Sequence, residues 1–355
     1  MLIHNNHHKF KFHTWMLILV GIVISLIFPQ IGLNFQDYIV PLMMLLMFLS
    51  FLNIDYHSMA QRMHHFKKPS VTLLVIHLLS PLLVLFLKPL FIEEIFLGLI
   101  IVSSVSSGLS VVFLSSLFKG NSSIALLITF FSNVLSPVIL PVIIYLFTKK
   151  IVDIDYVSIS LTIVKLVIIP LLLAMTIHKF NIIKPISKHS VQLSSIVLFF
   201  VILGIISPVQ NIIFSNPELS IKLFFIVVLL TGINFFVGYF LGNTKEEKIT
   251  YAITSNYKNY ALASIIALSN FEPIVAYPAA MYALVNNLFL VPLQLFVLKK
   301  DTTHSEKNLE KATDKNKKIT KSKPETKTIK KKTTKNKSTT KQNKLKVKKI
   351  NKTKK

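Results

Sequence analysis

Residues 249–270, ITYAITSNYKNYALASIIALSN, set Thr254, Ser255, Asn256, Lys258 and Asn259 in the middle of a stretch long enough to cross a bilayer. In hydrocarbon every such group costs free energy unless protein or water satisfies it. Residues 95–118, IFLGLIIVSSVSSGLSVVFLSSLF, have the same character, with Ser106, Ser107, Gly108 and Ser110 near mid-span. A polar, glycine-containing centre suggests a helix broken at that point. Such a break exposes N–H groups at the start of one half-helix, which attract anions, and C=O groups at the end of the other, which attract cations. Hydroxyls and amides fill the remaining valences. Two breaks that cross therefore make a binding site with no metal and no nucleophile.

Lys258 is the sharpest of these residues. It sits about eleven residues inside its span, too deep for the side chain to reach an interface, so it reads as a site residue, either ion mimic or counter-charge for a substrate. His77 lies inside an apolar segment and reads as a helix-helix hydrogen bond or as a proton carrier. Lys165, nearer a span end, reads as a snorkeller, and Asn133, Asn234, Asn286 and Asn287 read as glue between helices. No spacing of metal ligands occurs, and the chain has no Cys, which removes disulfides, thiolate metal sites and thiol nucleophiles. No Ser/His/Asp constellation, HExxH motif or pair of catalytic acids stands in the spans, so an enzyme is disfavoured. No cofactor is expected.

The elements that must position these residues are membrane helices. The chain has 355 residues, 52% of them hydrophobic and only 15% charged. Ten apolar segments meet the spanning criterion: 13–29, 38–54, 70–89, 93–117, 122–147, 157–178, 188–209, 219–241, 247–269 and 274–298. The first ends in Pro29 with no small-residue cleavage site and reads as an uncleaved span. The breaks fall in the fourth and ninth segments, and Gly108 and Asn256 are 148 residues apart, about half the embedded length. Five spans per half is odd, so the halves must be inverted relative to each other, the repeat type that holds its site at the midplane. The expected fold is therefore an all-α membrane protein of ten transmembrane helices in two inverted five-helix repeats, with the fourth and ninth broken and crossing.

Basic residues collect in the loops at 55–69, 118–121 and 178–188, and acids in those at 30–37, 90–93 and 210–218. This places the protein in the cell membrane with both termini cytoplasmic. Three parts are expected: an N-terminal segment at 1–12, a transporter body at 13–298 and a tail at 299–355. Residues 301–355 hold 21 Lys against 5 acids, so 16 of the 25 net positive charges sit there and 9 on the first 300 residues. The tail cannot bury a core and should be disordered. Attraction to anionic lipid headgroups, at ~1 kcal/mol per Lys near the surface, is favoured over a nucleic-acid partner. One Arg against 39 Lys, with abundant Ile and Asn, suggests an AT-rich prokaryotic genome.

Several runs resemble the bile acid:sodium symporter family. Lys119-Gly120-Asn121 followed by SSIALLITFFSNVLSPVILP resembles its turn into a fifth span. Asn259-Tyr260-Ala261-Leu262-Ala263 resembles its ninth-span Gln-Asn-x-x-Leu-Ala. FEPIVAYPAAMYALVNN and PLMMLLMFLSFLNID resemble its tenth and second spans. The resemblance implies a carrier of small organic anions working by alternating access. Its third, fourth, fifth, eighth, ninth and tenth helices would form a core and the other four a panel. The departures concern sodium. The family's ninth-span Glu falls at Thr254, its Gln at Lys258 and its intervening Gly at Asn256, a residue type that tolerates a positive φ better than most. Its fourth-span Ser-Asn falls at Val111-Val112 and a fifth-span Ser at Ala125, while a Thr is kept as Thr129. The Pro before the fourth-span Gly pair falls at Ser106, and the third-span Gln falls near Ile76–His77. The resemblance thus implies transport without sodium, with the Lys258 ammonium in the place of one ion and donating to the carbonyls of the break and to Thr254 or Thr129. Other readings of the same architecture are an auxin-carrier-like protein, an arsenite-type exporter, disfavoured because those use a Cys, and a non-transporting membrane protein whose basic tail recruits a partner.

Overall fold

The computed structural model describes residues 7–54, 59–60, 63, 66–108, 110–148, 154–179 and 183–288. Helix α1, His7–Ile27, starts inside the segment expected to precede the first span and ends before Pro29, which opens the short α2, Pro29–Leu33. A 3-10 turn at Gln36–Tyr38 leads into α3, Ile39–Leu52. Helix α4 runs Lys67–Leu85. Next come α5, Glu93–Ser104, and α6, Val111–Leu117, the two pieces of the expected fourth span. Helices α7, Ser122–Thr148, and α8, Tyr156–Lys179, follow. Helix α9, Ile183–Ile206, passes through a 3-10 turn into α10, Gln210–Ser215, and then α11, Pro217–Leu241. The expected ninth span is again two pieces, α12, Lys245–Asn256, and α13, Tyr260–Asn270. A last helix, α14, is described over 273–288; the rest of the expected tenth span and the whole basic tail lie outside the described residues.

Among the described residues there is no strand, and five helical stretches are long and apolar enough to cross a membrane: Lys67–Leu85, Ser122–Thr148, Tyr156–Lys179, Gln192–Ser215 and Pro217–Leu241. Their outward faces carry Val138, Leu172, Phe225 and Phe240 in the open, as a lipid-facing surface requires.

The helices pack in two groups. In one, α1, α3 and α8 pack around α9, directly or through one another. In the other, α11 lies along α12, and α7 packs on α4, α5, α6 and α12. Helix α11 comes so close to α12 at Gly238 that a Cβ there would lie 2.3 Å from Tyr251 O. Helices α13 and α7 join the groups, α13 packing on α3, α8 and α9 as well as on α5, and α7 packing on α8. The two ends of the assembly are each tied by hydrogen bonds. At one, Lys68 Nζ meets Glu247 Oε2 at 2.8 Å and Asn121 N–H donates to Thr250 Oγ1 at 2.7 Å. At the other, Ser158 Oγ donates to Asn270 Oδ1 at 3.1 Å and Ser160 Oγ to Pro137 O at 2.8 Å.

Two helices contain a π-turn with the same cause. In α4 the turn is Val75–Leu79, and Ser80 N–H reaches back five residues to Val75 O. The next bond in that register would run from residue 81 to Ile76 O, but Pro81 has no N–H. In α8 the turn is Val164–Ile168, closed by Ile169 N–H to Val164 O, and Pro170 follows. In each case a carbonyl on the span is left without its helical partner.

Candidate functional site

The break between α5 and α6 begins where Val105 turns extended, φ −62° and ψ 161°. The break between α12 and α13 begins at Tyr257, φ −77° and ψ 104°. The two run antiparallel and pair at Ser107 and Lys258. Gly108 N–H donates to Tyr257 O and Asn259 N–H to Ser106 O, both at 2.8 Å. Backbone groups freed by one break thus satisfy those freed by the other. Gly108 eases this approach, because a Cβ there would stand 3.1 Å from Lys258 O, a tight contact.

Helix α7 supplies a side wall. Ser107 N–H donates to Ser132 Oγ at 2.8 Å, and Ser106 Oγ donates to Asn133 Oδ1 at 2.9 Å. Asn133 Nδ2 donates to Thr129 O at 2.8 Å and more weakly to Ser107 O at 3.4 Å. Ser107 Oγ donates to Thr254 O at 3.1 Å. Asn259 starts α13, its Oδ1 accepting Leu262 N–H at 3.1 Å, the usual cap of a helix N-terminus.

Lys258 is 1% exposed. Its Nζ donates to Ile76 O, the carbonyl that the π-turn and Pro81 leave free. This differs from the expectation that the ammonium would reach Thr254 or Thr129. Thr254 Oγ1 donates instead to Thr250 O at 2.8 Å and Thr129 Oγ1 has no partner. A hydroxyl one turn from a helical carbonyl takes it first, and the long Lys side chain reaches across to α4. His77, the next residue of that π-turn, is buried with Nδ1 2.8 Å from Ser104 O. A carbonyl only accepts, so Nδ1 carries the hydrogen and Nε2 is left with a lone pair and no partner.

The structure therefore gathers Ser106, Ser107, Gly108, Thr254, Lys258 and Asn259 at one crossing, with His77 and Thr129 on its flanks. Ser110 stands apart, exposed, and its hydroxyl makes no cap bond to α6. Ser255 Oγ, Asn256 Oδ1 and Asn259 Nδ2 are buried and unpaired. Asn256 is the last residue of α12 rather than a left-handed one; among the described residues the non-glycine residue with positive φ is Lys119, at 63°, in the turn before α7. Sequence reasoning passed over Ser132 and took Asn133 for simple glue. The carbonyl of Ile76 was also missed, although the spacing of Pro81 announces it.

The positions that the resemblance assigns to sodium ligands carry few side-chain oxygens. Val111 is a buried aliphatic, Val112 a partly buried one, and Thr254 is committed to its own helix. Thr129 Oγ1, Ser255 Oγ and Asn256 Oδ1 remain as side-chain oxygens without partners.

Residues 40–216 match the Sodium Bile acid symporter family. The "Uncharacterized sodium-dependent transporter YocS" of Bacillus subtilis (strain 168) is 27% identical over 207 residues, 55% of this chain and 62% of that protein. The chain thus matches less than two thirds of that relative's length. The "Uncharacterized protein YbaS" of the same bacterium is 23% identical over 276 residues, 74% of this chain and 89% of that protein.

Proposed function

Because the chain belongs to the sodium bile acid symporter family and is a multi-pass membrane protein of transport, we propose that it is a secondary transporter of a small organic anion that works by alternating access and does not need sodium. The observation that carries this reading is the buried Lys258 at the paired breaks. Lys258 stands on the backbone at the crossing, and in its protonated form it supplies the positive charge that an ion would supply. The unpaired Asn259 Nδ2 and the N-terminus of α13 add donors for an anion. Ten spans in two inverted repeats, a cytoplasmic orientation for both termini and a basic tail lying on anionic headgroups complete the proposal.

The competing reading is sodium coupling, as the printed name of YocS says of that protein. Uptake of a small carboxylate into proteoliposomes, with sodium replaced by choline at fixed pH, separates the two. The proposal expects uptake to persist. A large loss in choline overturns it and assigns a sodium site to backbone carbonyls together with Thr129 and Asn256. Lys258→Gln alone should not create sodium dependence, because Thr254 brings no carboxylate.

A further inference from the structure

Lys258 has an acceptor but no counter-ion. Ile76 O is a neutral dipole, and a neutral amine donates to it as well as an ammonium does. The elements packed around the break bring no carboxylate to it among the described residues. Helix α4 presents His77, whose charged form would repel Lys258. The break of α5 and α6 presents serines, α7 presents Thr129, Ser132 and Asn133, and α11 presents Asn234 and Gly238. On 273–288 the titratable groups are the phenols of Tyr277 and Tyr282. On the break itself Tyr257 is a neighbour, and Glu247, eleven residues before Lys258, is about 16 Å away along the helix and held by Lys68. A buried charge without a partner loses or gains its proton rather than remain as it is.

The surroundings also show where that proton can go. Asn256 and Tyr257, unlike Lys258, are only half-buried, so the edge of the break faces outward. In this conformation α13 is packed on α3, α8 and α9, whereas α6 and α12 pack chiefly on their own group.

We propose that Lys258 is a proton-coupling site: its ammonium gives up a proton as the break is buried in the conformation seen here and regains one when the break is wetted in the alternate conformation. The deepening rests on the transporter reading above. The step is a simple proton transfer. The N–H bond of the ammonium breaks, the pair stays on Nζ as a neutral amine that still donates to Ile76 O, and the proton passes to water at the Asn256 edge. A neutral Lys258 favours the conformation seen here, so this conformation gains population as pH rises.

The chain has no Cys, so Ser158→Cys with Asn270→Cys, on residues that are hydrogen-bonded here, makes a clean reporter of this conformation. The full-length double variant in nanodiscs is treated with a short bismaleimide between pH 5.5 and 9, with two lone single-Cys controls to correct for thiol reactivity. The corrected cross-linked to open ratio should rise with pH, by up to about tenfold per unit for one linked proton, and the rise should vanish in Lys258→Met and in Lys258→Gln. A flat ratio in the unsubstituted Lys258 background overturns the proposal, whatever the variants do. So does a rise that persists without Lys258. Neither result touches the transporter reading, which fails only in the uptake assay.

Discussion

At the scale of single residues, the site is governed by a few atoms that leave one another no alternative. Gly108 is one: its missing Cβ lets two backbones bond at 2.8 Å. Gly108→Leu should leave the helices folded but force the breaks apart, lowering uptake more than tenfold while costing about 1–3 kcal/mol of stability, as overpacking does. Uptake and thermal melts of the same preparation check both halves. Pro81 is another. Replacing a proline inside a helix with alanine ordinarily stabilises by about 3 kcal/mol. Here Pro81→Ala supplies an N–H that competes with Lys258 for Ile76 O, and leaving Lys258 Nζ without its acceptor should cost about 1–3 kcal/mol. The gain expected of the substitution should therefore largely disappear in denaturant melts of detergent-solubilised protein. A full gain would mean that the Lys258 contact to α4 contributes little.

At the scale of elements, half-helices stay in place because others hold their loose ends. Asn133 on α7 serves Ser106 Oγ and the Ser107 carbonyl together. Asn133→Ala should destabilise by about 1–3 kcal/mol for each group left bare, and should weaken binding of any ligand taken at the crossing. Asn121 caps α7, its Oδ1 accepting from Ser123 and Ile124 N–H at 3.1 Å, while its own N–H holds Thr250 of α12. Asn121→Ala should cost about 1 kcal/mol, read as a lower melting temperature, while the backbone N–H that holds Thr250 is kept.

At the scale of the whole molecule, the proposed sidedness has a direct test. Single Cys residues introduced at Asn34 and at Lys335 should label with an impermeant maleimide from opposite faces of intact cells or sealed vesicles, because basic loops stay cytoplasmic. Labelling of both from the same face would reverse the assignment of one terminus and with it the odd-number argument for inverted halves.

What the sequence determined by itself was the class of molecule and the places where its helices fail. Long apolar runs have one solution in lipid, so their number of residues and their polar interruptions can be read directly; the breaks at 105–110 and 257–259 follow from Ser-Ser-Gly and Asn-Tyr-Lys-Asn in mid-span. The identity of each partner was decided only by tertiary structure. Nothing local says that Ser107 pairs with Lys258, 151 residues away, since pairing between breaks depends on how α4, α7 and α11 bring them together. Nor does local pattern say that Lys258 reaches α4 rather than Thr254. That choice depends on a hydroxyl preferring its own helix and on Pro81 freeing a carbonyl on another one, and the two residues meet only when the helices pack.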